Sequence, residues 1–121
     1  MKLNLTFLLI MLVIGFVACD SDPEDPMVNC ETTGLTYNDD IAAIFNESCA
    51  LAGCHNEGNA GFSTYEMFNY ATTKAAVDDG RIIGSINHES GFLEMPRSAD
   101  KLDDCTIDKI TQWIEDGAPE M

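Results

Sequence analysis

Cys49-Ala-Leu-Ala-Gly-Cys54-His55 brings together two thiols and an imidazole within seven residues. A histidine directly after the second of two closely spaced cysteines is the arrangement that covalent attachment of an iron porphyrin, a c-type haem, demands. Each thiol adds across one of two vinyl groups on the porphyrin edge, so the two sulfurs must reach points a fixed distance apart. The residue that follows then lies under the metal and can offer a ring nitrogen to iron. The usual spacer between the cysteines has two residues; here it has four, which makes the same span with a larger loop.

His55 is therefore the expected proximal iron ligand. Its second ring nitrogen is expected to donate to a backbone carbonyl that fixes the ring. Forty residues on, Met95 is the choice for a sixth ligand: it sits in a loop, where a thioether can approach the opposite face. Pro96 behind it restricts its backbone to extended conformations. His88, in the same loop, is the runner-up. The choice matters, because a thioether raises the potential and a second imidazole lowers it.

Helices must position these residues. Asn38 is expected to cap a helix through Ser48, with Asp39 and Asp40 at its positive end and Ile41, Ile44 and Phe45 on one face. Ser63-Thr64-Tyr65-Glu66 has the form of a capping box opening a helix to about Asp79, stopped by Gly80. Arg81 to Asn87 reads as one or two helical turns, and His88 to Asp104 as loop. Thr106 is expected to cap a last helix with the stripe Ile107, Ile110, Trp113 and Ile114, ended by Gly117 and Pro119. No alternating strand pattern of useful length is present, so the fold class is all-α. Phe45, Leu51, Phe62, Tyr65, Phe68, Ile82, Ile83, Ile86, Leu93, Leu102, Ile110 and Trp113 suffice either for an ordinary small core or for a crevice around a cofactor. A chain of 121 residues supports one domain, and a covalent cofactor at its centre would add stability.

The ends of the chain speak to location. Residues 1–18 start with Met1 and Lys2 and run almost wholly apolar from Leu5 to Ala18, too short for a confident membrane span and suited to an export signal. An acidic, proline-bearing tether, 19–35, separates it from a domain over 36–121. With 21 acidic and 6 basic residues and a formal charge of −15, nucleic-acid binding is disfavoured. An electrostatically steered partner should be basic at the contact.

Several elements in one order carry a family resemblance. Ile41-Ala-Ala-Ile44-Phe45, the cysteine–histidine loop, Met95-Pro96 and Trp113-Ile-Glu-Asp-Gly117-Ala-Pro119 resemble the cytochrome-c-like modules of exported bacterial lipoproteins, themselves similar to small class I monohaem cytochromes. Gly15-Phe-Val-Ala-Cys19 likewise resembles a lipobox, which implies lipidation of Cys19 and a membrane-anchored protein facing the periplasm or the cell surface; an ordinary cleaved signal is the alternative. The resemblance implies a cytochrome-c-like helical domain with haem c held by Cys49 and Cys54, iron ligated by His55 and Met95, and Trp113 facing Phe45. Arg81 and Arg97 are then possible propionate partners or simple surface residues. The haem–lipoprotein reading also accounts for an odd total of five cysteines, with Cys30 and Cys105 as a disulfide. On a chain-entropy model such a bridge is worth roughly 4 kcal/mol; two unrelated thiols are the alternative.

The implied function is one-electron transfer to a redox partner protein, not enzymatic catalysis. Iron left five-coordinate would instead suit a sensor or peroxidase. Two cofactor classes compete with haem: a structural zinc site using Cys49, Cys54, His55 and one of Cys105 or His88, and a cofactor-free envelope lipoprotein stapled by a Cys49–Cys54 disulfide.

Overall fold

A computed structural model describes residues 30–58, 63–97 and 99–121. The export signal, Cys19, most of the tether and Phe62 lie outside the described residues. What is described is helical: a π-helical turn Tyr37–Ile41 runs into α1 (Ala42–Ser48), followed by α2 (Tyr70–Asp78), α3 (Ile82–Ile86) and α4 (Asp104–Glu115). No strand occurs among the described residues. None of their helices is long and apolar enough to cross a membrane.

The core forms where the first and last elements meet. Ile107, Ile110 and Trp113 recur at helical spacing on α4 and are buried. Trp113 meets Phe45 edge-on at 6.2 Å between ring centroids and Tyr37 at 6.0 Å. Tyr37 in turn meets Tyr70 at 5.4 Å, which brings α2 onto the same cluster. Ile82 and Ile86 close the core from α3, which packs against α4.

Tyr37 explains why the first helix starts earlier than Asn38. Thr36, extended at φ −122° and ψ 158°, is the actual cap, and its hydroxyl accepts the Asp39 N–H. Beginning there turns Tyr37 inward, while Asn38 stays exposed. A helix start has N–H groups with no partner inside the helix. Two of them donate to the chain terminus instead, Tyr37 N–H to Pro119 O (2.9 Å) and Asn38 N–H to Glu120 O (3.2 Å). Trp113 Nε1 also donates to Pro119 O, at 2.9 Å. Gly117 (φ 92°) and Ala118 (φ 55°) give the left-handed turn that brings this tail back.

The last helix is capped by Asp103, not Thr106. The Asp103 carboxylate accepts the Thr106 N–H at 3.0 Å and its hydroxyl at 2.6 Å. Those two bonds hold the Asp103 carboxyl below the ordinary carboxylate range. Thr106 thus donates both bonds from inside the first turn. Cys105 is also inside that turn and forms a disulfide with Cys30 (Cα–Cα 5.5 Å). Residues 30–35, read from the sequence as the end of the tether, therefore contribute to the packed part, with Cys30 bonded and Leu35 in the core.

Candidate functional site

The site begins at the end of α1. Phe45 is buried under Trp113, and its carbonyl accepts the N–H of both Cys49 (2.9 Å) and Ala50 (2.7 Å). The chain then leaves the helix in a closed turn. Cys54 N–H donates to Leu51 O at 2.9 Å, and His55 N–H returns to Cys49 O at 3.1 Å. This last bond closes the four-residue spacer, so the loop starts and ends at one place. Both cysteines carry thiols. Burial, reinforced by the nearby Cys54 sulfur, pushes the Cys49 thiol up to about 11.

His55 is held from a direction the sequence did not indicate. Ser63 to Glu66 was expected to open a helix, yet α2 begins at Tyr70, capped by Asn69 in a capping box with Thr72. Residues 63–67 instead form a strap over His55. Its Nδ1 lies 2.8 Å from Tyr65 O and 2.6 Å from Ser63 Oγ. Met67 N–H donates to His55 O at 2.7 Å, and Gly58 N–H donates to the Glu66 carboxylate at 2.9 Å. The Ser63 hydroxyl donates to Tyr65 O and accepts the Tyr65 N–H. Ser63 and Glu66 are therefore used, but on the histidine loop.

These contacts fix a tautomer. A carbonyl can only accept, so Nδ1 opposite Tyr65 O carries the proton. In the neutral ring, the Nε2 lone pair is left for another partner. That is the state a metal-ligating histidine needs, with its other nitrogen tied to an acceptor.

A second loop carries the other two candidates. Met95 is pinned at both backbone groups: its N–H donates to Ser85 O (3.0 Å), and its carbonyl lies 3.1 Å from His88 Nε2. The Met95–Pro96 bond is cis. A recess of about 410 Å³ opens beside it, lined by His88, Phe92, Leu93, Glu94, Pro96 and Arg97. Arg81 lies 6.0 Å over the Phe92 ring, which gives that arginine a packing role.

Phe92 rests on α3 at Gly84. A Cβ added there would sit 2.6 Å from the ring, so the residue must be glycine for the loop to close this tightly. Gly84→Ala should therefore push Phe92 outward and cost about 1–2 kcal/mol, read as a lower urea midpoint at unchanged slope. An unchanged midpoint would show that the loop does not depend on this contact.

The structure thus groups Cys49, Cys54 and His55 in one loop and His88 and Met95 in another. It does not assemble the zinc arrangement. Cys105 is consumed by Cys30, and among the described residues no three His, Cys, Asp or Glu side chains converge as a metal site. Nor are Cys49 and Cys54 joined as a staple, since both are thiols.

The donor set fits a covalent haem in two further respects. It offers two thiols followed by an imidazole whose Nδ1 is tied to a carbonyl, and a thioether on a separate loop. Moreover, of the four exposed large apolar side chains among the described residues, Leu51 lies between the cysteines and Phe92 and Leu93 lie beside Met95. Each of the two loops thus carries exposed apolar side chains beside its candidate ligands.

Fold and site together define an all-α domain with two thiols and a tautomer-fixed histidine in one loop. Comparison with protein-family models, curated proteins and solved structures found no match for this chain.

Proposed function

We propose that this chain is a cytochrome-c-like haem protein of the bacterial cell envelope that carries single electrons between partners. The observation that carries the reading is His55: directly after Cys54, its Nδ1 is engaged by Tyr65 O and Ser63 Oγ, so in the neutral ring the lone pair lies on Nε2.

On this reading Cys49 and Cys54 hold the haem through thioethers. Each link would be an addition of a thiol S–H across a vinyl group, sulfur to one carbon and hydrogen to the other, and would need no oxidant. His55 Nε2 and the Met95 sulfur would be the protein's ligands to iron. Bound haem supplies a ferrous/ferric couple. The chain's own contribution is rigidity: the strap over His55 and the two-point backbone anchor of Met95 limit how far either ligand moves. With both of these residues bound, iron would keep no site for substrate, so carriage and not enzymatic turnover is the proposed role.

The leader and Cys19 support export and a lipid anchor, and a Cys30–Cys105 disulfide suits an oxidising compartment. A formal charge of −15 favours a redox partner with a basic docking patch.

Expression in a host with haem-attachment machinery tests the proposal. The expected product is coloured, gives a sharp reduced spectrum and keeps its pigment through acid–acetone extraction. A colourless product, with or without zinc, would overturn it.

A further inference from the structure

The chain has two histidines, and the structure holds them in opposite tautomers. His55 presents Nδ1 to a carbonyl; His88 presents Nε2, to Met95 O at 3.1 Å. Because that oxygen can only accept, His88 Nε2 carries the proton. The nitrogen farthest from the backbone, the one best able to reach a metal, is spent on Met95. His88 is therefore poorly placed as an iron ligand and well placed as a brace for one.

Its backbone points the same way. His88 has φ 58°, in the left-handed region that favours glycine or asparagine at a helix end. It stands just past α3, where Glu89 N–H donates to Gly84 O at 2.9 Å and His88 N–H to Ser85 O at 3.3 Å. Ser85 O also accepts the Met95 N–H at 3.0 Å. The loop from His88 to Met95 is thus pinned at both ends to the last turn of α3. One of the two bonds to Met95 comes from a side chain that occupies a strained position, and such outliers are reasonable pointers to a role.

We infer that His88 is a positioning residue that latches the Met95 carbonyl and so keeps the Met95 sulfur on iron. The inference rests on the haem reading and concerns only this chain's residues. Added imidazole competes with Met95 for ferric iron, and its apparent affinity rises with the fraction of loops that are open.

The test uses the haem-loaded full chain and four variants. His88→Leu removes the donor. His88→Asn suits the left-handed backbone but is too short to reach Met95 O, and His88→Gln keeps an N–H at about the right reach. Met95→Ala marks complete loss of the thioether. Losing one hydrogen bond should raise the apparent imidazole affinity about fivefold in His88→Leu and His88→Asn, with a weaker thioether-to-iron band in the near infrared. His88→Gln should stay near wild type. Equal titrations for wild type and His88→Leu would overturn the inference, as would equal behaviour of His88→Gln and His88→Asn. A wild-type spectrum of two imidazole ligands that His88→Leu abolishes would overturn it too, by making His88 the ligand. A wild type without pigment ends the haem reading and this one together, and it is seen before any variant is made. A pigmented wild type whose His88 variants do not respond ends this one alone.

Discussion

Serine at both Cys49 and Cys54 should yield a protein from which all pigment passes into acid–acetone. The wild type should keep it, and each single serine variant should retain pigment through one remaining link. The expected effect is complete because the two modes of retention differ in kind. Acid and organic solvent remove burial and protonate imidazole, so coordination and packing are lost together; a carbon–sulfur bond survives both. Serine is close to cysteine in size, and the backbone bonds that close the turn it enters, Cys54 N–H to Leu51 O and His55 N–H to Cys49 O, remain available in the variant. The loop therefore keeps its shape in the double variant, which isolates the chemistry of sulfur. Intact mass before and after extraction checks the result. Pigment still attached to the double variant would assign the link to another residue and remove the basis for reading this loop as an attachment site.

The four-residue spacer acquires a physical sense from that turn. In a shorter loop the two sulfurs are spaced by the turn itself. Here Cys49 O receives the His55 N–H, so the longer excursion comes back to its start and the added residues bulge outward, with Leu51 exposed at 47%. The two histidines then divide the work by tautomer. Identical side chains in two loops have different ring nitrogens left over because each faces a carbonyl through a different atom.

Local pattern made some of this legible and non-local contact hid the rest. The stripe Ile107, Ile110, Trp113 with Gly117 behind it needs only neighbouring residues to be read, and α4 follows it. Short α3 and the loop after it follow for the same reason. Ser63-x-x-Glu66 misleads because a capping box and a strap use the same side chains, and only the position of His55, eight residues away, decides between them. Thr36 as a cap is equally hidden. It depends on Tyr37 turning inward to Trp113 and on the carbonyls of Pro119 and Glu120, contacts more than seventy residues off. Asp103 over Thr106 is a closer contest, since both oxygens suit a cap and the pair bond each other. A backbone carbonyl on the second ring nitrogen of His55 is expected from its place after Cys54, but which carbonyl supplies it, and the opposite tautomer of His88, have no signature in sequence.

Trp113→Ala should be the most destabilising single change in the molecule, costing about 4–5 kcal/mol against a total of about 5–15 for domains of this kind. Trp113 is fully buried, and three things depend on it. Its ring fills the space between Tyr37 and Phe45, so truncation leaves a cavity with aromatic walls. Its Nε1–H donates to Pro119 O, and that same oxygen caps the first helix through Tyr37 N–H. Its contact with Phe45 holds the residue whose carbonyl starts the cysteine loop. Trp113→Phe separates these contributions: most of the volume remains and only the donor is lost, so about 1–2 kcal/mol is expected. Urea unfolding with the disulfide intact measures both, and the alanine variant should also loosen the Cys49–His55 loop, seen as faster alkylation of the Cys49 thiol in haem-free protein. That thiol is half-buried and desolvation raises its pKa, so slow alkylation is expected in the wild type and the rate should report on the packing beneath it. An alanine variant within about 1 kcal/mol of wild type, with Cys49 still protected, would mean that the crossing of first and last helices is not what supports the site.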